Sequence, residues 1–344
     1  MKFYYFGLMP YGPLDLDYDQ KFSSASLVLP NSYFDPKEGN KLYRRYLDEL
    51  ELADTLGYDG VCVNEHHQTA YGLMPSPGVI AGALARTTTQ AKIAVLGRAL
   101  PLVNNPLTIA EEYAMIDNIS GGRLISGFVR GIGVEYHATG VNPAFSLERF
   151  HEAHDLIIEA WTKTGPFPFE GDHYHFEYVN TWPRPFQQPH PPVHVAANTP
   201  ETYELMGRLG YSILSAAQVN TFPKLREMIP IYRRAYRSAG HQGSEQETLT
   251  LLSPVFVGES AAQVRDIVEP SIMRFIQTVI DAFPPFGNDG SEKNRLLQEA
   301  ADRLRQTTFE QVCETMAIYE TPEACVERLK TYEQEFHMGR MLCW

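Results

Sequence analysis

One local pattern recurs along the chain: a short run of β-branched and aromatic residues, then a stretch with helical spacing of apolar residues. The strand-like runs are "KFYYFGLM" from Lys2, "GVCV" from Gly60, "KIAVLGRALPL" from Lys92 and "LISGFVRG" from Leu124. They continue with "VHVAAN" from Val193, "YSILSA" from Tyr211, "LTLLSPVFVG" from Leu249 and "RMLCW" from Arg340. Between them lie helical patterns. In the stretch 43–60, Tyr46, Leu50, Ala53 and Leu56 share one face and Gly57 ends it. "PGVIAGALARTT" opens on a proline suited to a first helical turn, and "NPLTIAEEYAMIDNISGGR" closes on glycines. "SLERFHEAHDLIIEAWTK" is strongly amphipathic, with Ser146 as its cap. "PETYELMGRLG", the stretch 222–240, a long region over 260–310 and "TPEACVERLKTYEQEF" supply the rest. Parallel strands need crossover helices, and eight such units predict a single (β/α)8 barrel over residues 1–344. A doubly wound open sheet is the runner-up.

Charge narrows the partners. Lys plus Arg number 29 against 42 Asp plus Glu, a formal charge of −13, which argues against nucleic acid or an anionic membrane surface. No run approaches the roughly 20 apolar residues that span a bilayer. Gly7, Pro10, Gly12 and Pro13 interrupt the apolar N-terminal stretch, so it reads as a first strand and loop rather than a signal peptide. Cys62, Cys313, Cys325 and Cys343 form no CxxC pair, which suits a reducing, cytoplasmic setting.

In a barrel the segments that follow the strands face the active site. Here they carry the titratable residues: "NEHHQTAYGLMP", "PLVNNP", "RGIGVEYH", "ANTPET" and the broken stretch 281–294. Glu65, His66 and His67 stand where a buried strand ends. Neighbours on a strand face opposite ways, so the two histidines do not read as a metal pair. His173 and His175 read as a solvated hairpin, and His151 and His154 as a surface i, i+3 pair; no metal site is expected. "RGIG" lacks the third glycine of a dinucleotide fingerprint, and "VEYHATG" does not read as a helix start. The segment reads either as a plain glycine turn with a surface arginine or as backbone passing close to a ligand, with Arg130 offered to a phosphate. Arg149 sits in the first turns of a helix, where the dipole does not favour a cation, so an anion or a neighbouring acid is its expected partner. Asn198 and Thr199 precede a helix at Pro200, which reads as an anion site or as ordinary capping.

These motifs, in this order, resemble the bacterial luciferase-like flavin monooxygenases. The resemblance is carried by "NEHH" with "AYGLMPSP", by "LPLVNNPLTIAEEYAMIDNISGGRLISGFVRG", and by "EYHATGV", "SLERFHEA" and "PRPFQQPHPPVHVAAN". It runs nearly end to end and is densest over residues 61–150. It implies a (β/α)8 barrel with insertions, with the chain ending near its eighth strand, where relatives continue into a loop and helix. It places His66, with His67 beside it and Glu135 nearby, in the catalytic centre. Arg130 and Arg149 match flavin-phosphate arginines. A non-proline cis peptide is implied at Leu96–Gly97, and Ile132 lies in the same flavin-binding turn as Arg130. Where luciferases have an acid and a serine after the fifth strand, this chain has Ala197 and Asn198, so Asn198 and Thr199 take the phosphate-holding place. Val129 replaces the reactive cysteine of luciferases, so light emission is not implied.

The chemistry implied is that of a two-component monooxygenase. Reduced FMN comes from a separate flavin reductase and reacts with O2 to a peroxyflavin, which oxygenates a small, apolar organic substrate. Residues 281–294 correspond to a mobile lid. A homodimer or heterodimer is open. Two rivals stand beside this reading: a deazaflavin-dependent hydride-transfer enzyme of the same superfamily, and a non-catalytic flavin-binding subunit.

Overall fold

The computed structural model describes residues 1–14, 21–217, 219–243, 248–281, 302 and 304–344. The strands β1 (Lys2–Phe6), β2 (Gly60–Val63), β3 (Lys92–Ala99), β4 (Leu124–Val129), β5 (Val193–Ala196), β6 (Ser212–Ala216), β7 (Leu249–Ser253) and β8 (Arg340–Cys343) form one sheet. Every neighbouring pair is parallel, and β1 closes on β8, so the sheet is a barrel. This is the (β/α)8 architecture expected from the repeat.

Around it lie α1 (Pro36–Thr55), α2 (Pro77–Thr87), α3 (Leu107–Ser120), α4 (Gly133–Thr139) and α5 (Ser146–Thr162). The ring continues with α6 (Pro200–Leu209), α7 (Phe222–Ser238), α8 (Ala261–Asp281), α9 (Phe309–Thr315) and α10 (Pro322–Phe336). In α5 the apolar spacing delivers Phe150, Ala153, Leu156, Ile157, Ala160 and Trp161 to the core. The Trp161 indole N–H then donates to the Ala110 carbonyl at 2.9 Å, tying α5 to α3.

Register sorts the barrel interior into layers. Cys62 pairs with Ala94 and Ala94 with Ile125, so these side chains point inward together. With Phe6, Leu8, Leu96, Leu214 and Leu342 they make an apolar plug. Toward the N-terminal ends of the strands the interior turns polar, with Tyr4, His194, Thr250 and Arg340. Glycine is required where β3 meets β4: a Cβ on Gly127 would lie 2.1 Å from the Val95 carbonyl oxygen.

Several elements differ from the sequence expectation. α1 begins at Pro36, seven residues before the expected Tyr43, because Asp35 caps it by accepting from the Lys37 N–H at 2.8 Å. "VEYHATG" does form a helix, α4, because Glu135 caps it through its side chain rather than the usual Ser or Asp at the N-cap. "LTLLSPVFVG" is two strands: after Pro254, Val255–Val257 leaves the barrel and pairs with Ile318–Glu320, a strand too short to stand out in the pattern. His154 is buried, not on the surface; its ring is held between Asp155 and the Tyr211 hydroxyl. The expected hairpin around His173 and His175 is present as Phe167–Glu170 paired with His175–Val179. Of the lid segment 281–294, residues 282–294 lie outside the described residues.

His194 makes the fold pH-sensitive. Burial, helped by the Arg340 charge, pushes its imidazole down to about 3. An unfolded histidine titrates near 6.5, so between those values the unfolded chain binds the extra proton and the fold does not. Stability contributed by the neutral ring is therefore lost as pH falls below about 6.5, by up to about 1.4 kcal/mol per pH unit. Urea unfolding at pH 7, 6 and 5 should show this decline, and His194→Leu should flatten it. Equal slopes in both proteins would contradict the assignment.

Candidate active site

The residues that follow β2 are pulled apart by their partners. One Glu65 oxygen accepts from the Ala99 N–H at 2.6 Å, and the other lies 2.8 Å from His67 Nε2 and 3.3 Å from Arg98 Nη1. This clamp joins the ends of β2 and β3 and commits His67 to Glu65. His66 turns the other way, with Nδ1 2.9 Å from Glu135 Oε1. Glu135 is buried, and its second oxygen accepts from the Ile132 N–H at 2.9 Å. Gly131, at φ +85°, makes the turn that brings Ile132 into reach.

A carboxylate can only accept, so the facing Nδ1 carries the proton, and in the neutral imidazole the lone pair is on Nε2. Among the described residues no hydrogen bond engages that Nε2. The Tyr71 ring meets the imidazole edge to face at 4.8 Å and stacks on Phe275 at 5.8 Å. Phe275 in turn packs on Trp344 at 4.2 Å. Phe6, Leu8, Tyr71, Arg274, Phe275 and Trp344 help bound a largely apolar cavity of about 440 Å³. Burial, and then the Glu135 charge, push the Tyr71 hydroxyl above its ordinary range, so it is a neutral donor.

The remaining sequence-predicted residues fall into two further groups. β4 and β5 are neighbours in the sheet, so Arg130, exposed just beyond β4, and Asn198 and Thr199, beyond β5, follow adjacent strands. Thr199 caps α6, accepting from the Thr202 N–H. Arg149 lies apart from them: it donates to the Pro101 and Val103 carbonyls at 2.9 and 3.1 Å, with its guanidinium 5.0 Å from the Tyr174 ring centre. Leu96 and Gly97 lie inside β3 and are joined by a cis peptide bond, as the resemblance implies.

Sequence reasoning missed Lys224 and Asn220, which come from α7 and the turn before it. Lys224 donates to the Asn198 carbonyl at 3.1 Å, and Asn220 donates to the Asn198 side-chain oxygen at 3.0 Å. No local pattern links them to Asn198. Asn64 was also passed over, although continuing the two-residue period from Cys62 finds it. It is 4% exposed, and neither its amide oxygen nor its amide nitrogen has a partner among the described residues. Among those residues no three His, Cys, Asp or Glu side chains converge as metal ligands, and no helix is long and apolar enough to cross a membrane.

The family model of the luciferase-like monooxygenases matches residues 27–336. The chain belongs to that family. It is 31% identical over 244 residues to the protein y4wF of Sinorhizobium fredii, covering 70% of each chain. It is 26% identical to the oxygenase component of the flavin-dependent trigonelline monooxygenase of Acinetobacter baylyi, over 79% of this chain and 81% of that one. The solved structure of the monooxygenase RslO1 from Streptomyces bottropensis superposes with a TM-score of 0.76 at 25% identity, covering 100% of this chain and 92% of that one. Two more distant structures share the fold. The oxygenating constituent of 3,6-diketocamphane monooxygenase from Pseudomonas putida, in complex with FMN, gives a TM-score of 0.70 at 17% identity, over 88% and 86% of the two chains. An F420-dependent secondary alcohol dehydrogenase gives 0.73 at 16%, over 99% and 92%.

Arg149 provides a test of this architecture. Arg149→Leu removes two hydrogen bonds from a charged donor and the stacking on Tyr174, and should lower the unfolding free energy by about 1–3 kcal/mol. Denaturant unfolding measures this; an unchanged midpoint would mean that the guanidinium is not held there.

Proposed function

We propose that this family member is the oxygenase of a two-component system, taking reduced FMN from a separate flavin reductase and using O2 to oxygenate a small, mainly apolar organic molecule. The observation that carries the reading is the His66–Glu135 pair, with Nε2 unengaged at the mouth of the barrel beside the aromatic-walled cavity. The residues present fit a flavin mononucleotide. Arg130, Thr199 and the start of α6, with Lys224 near by, fit a phosphate. The apolar interior with the Asn64 carboxamide, unpartnered among the described residues, fits a flat ring that has a polar edge.

Reduced flavin, when bound, supplies the two electrons that O2 activation needs. The protein's own part is narrower. Glu135 holds the imidazole in one tautomer, His66 takes or returns a proton at Nε2, and the Tyr71–Phe275–Trp344 wall keeps water from the reacting groups. The free cysteines suit a reducing compartment, and we assign the protein to the cytoplasm. Hydride transfer to or from a deazaflavin is the second reading, supported by the fold shared with the F420-dependent dehydrogenase.

His66→Ala should lower turnover about 100-fold or more, the usual range for a lost general acid or base. FMN affinity should change little. The check is ¹⁸O incorporation from ¹⁸O2 into a panel of aldehydes, ketones and aromatic compounds, with a flavin reductase supplied, alongside flavin titration. Wild-type incorporation by the variant would remove His66 from the chemistry, and no incorporation by the wild-type chain together with F420-linked alcohol oxidation would favour hydride transfer.

A further inference from the structure

Asn64 is a buried polar residue just beyond β2 that makes no side-chain hydrogen bond among the described residues. Its carboxamide offers an acceptor and a donor, and both lack partners among the described residues although the residue is 4% exposed. An amide buried in that state is costly unless something completes it. The strand period that sends Cys62 into the barrel sends Asn64 to the same side, and His66 is the next residue of that period. Two residues earlier on the same side, Cys62 lies in the apolar plug with Phe6, Leu8, Leu96, Ile125 and Leu342. A ligand that reaches His66 and settles over this plug would find the Asn64 carboxamide as a polar partner.

The role of Asn64 rests on the flavin reading. The isoalloxazine is apolar at its benzenoid end, while its pyrimidine end alternates carbonyl oxygens with the N3–H. That edge presents a donor beside an acceptor, the complement of a carboxamide. We propose that Asn64 recognises the pyrimidine edge of the flavin, its oxygen accepting from N3–H and its nitrogen donating to a neighbouring ring carbonyl. It is a binding and orienting residue: it fixes which end of the ring enters the barrel and so which part lies beside His66. Glu65 and His67, the residues either side of His66, are already committed to each other, and Glu65 also accepts from the Ala99 N–H.

The test is equilibrium binding of FMN and of its N3-methyl derivative, followed by flavin fluorescence, to the wild-type chain, Asn64→Leu and Asn64→Ser. The methyl group removes the donor and leaves the ring and phosphate intact. The wild type should bind FMN about tenfold more tightly than N3-methyl-FMN, Asn64→Leu should bind FMN about tenfold more weakly than wild type, and it should lose the preference between the two flavins. Asn64→Ser, which keeps a hydroxyl, should fall between. Equal binding of the two flavins by the wild type overturns the proposal without any variant having to fold. A preference that persists undiminished in Asn64→Leu assigns the N3–H contact to another group and also overturns it. Failure of the wild type to bind FMN in either its oxidised or its anaerobically reduced form would sink the flavin reading itself, a result distinct from either.

Discussion

Glu135 accepts from two donors that reach it from different strand ends: His66 after β2 and Ile132 after β4. The carboxylate is buried, so each of those contacts is made in a low-dielectric setting where a lost partner is costly. The consequences run outward from it. α4 starts where it does because Glu135 caps it, the turn at Gly131 is fixed by the reach to Ile132, and the imidazole is held with one nitrogen left for chemistry. Glu65 does the corresponding work one residue earlier, tying β2 to β3 and drawing His67 away from the site. Two carboxylates therefore separate two adjacent histidines into one that supports and one that is presented.

The barrel interior is divided along its axis. An apolar plug lies between a polar floor, where His194 is kept neutral by burial, and the mouth, where His66 and Asn64 stand. The plug separates this floor from the site. There the aromatic series from Tyr71 through Phe275 to Trp344 joins the loop after β2 to α8 and to the end of β8. An apolar wall against a single histidine suits chemistry in which one proton moves and water is excluded.

Much of this was legible in the sequence because the barrel is built from local repeats. The eight strand runs and most helices follow from spacing alone, and the position of "NEHH" at a strand end gives its face. Most of the errors share a cause, a partner distant in sequence; α1 and α4 are the exceptions, each set by a cap close in sequence. "VEYHATG" was not expected to be a helix because its cap is a glutamate within the helix rather than a small polar residue before it. Ile318–Glu320 exists as a strand only because Val255–Val257 leaves the barrel after Pro254. His154 carries no sign of burial in an i, i+3 pattern, and Tyr211, which bonds it, is 57 residues away. Lys224 and Asn220 meet Asn198 only once α7 has packed. The resemblance reached the Leu96–Gly97 cis bond and the His66–Glu135 neighbourhood, which spacing could not.

The account is tested most directly by anaerobic titration with reduced FMN and, separately, with reduced F420, followed by admission of O2. A stoichiometric complex with reduced FMN is predicted, no comparable complex with F420, and reoxidation of the bound flavin slower than that of free reduced FMN because the apolar mouth shields it. Tight binding of F420 without binding of reduced FMN, or flavin oxidation at the free rate in the presence of excess protein, would contradict it.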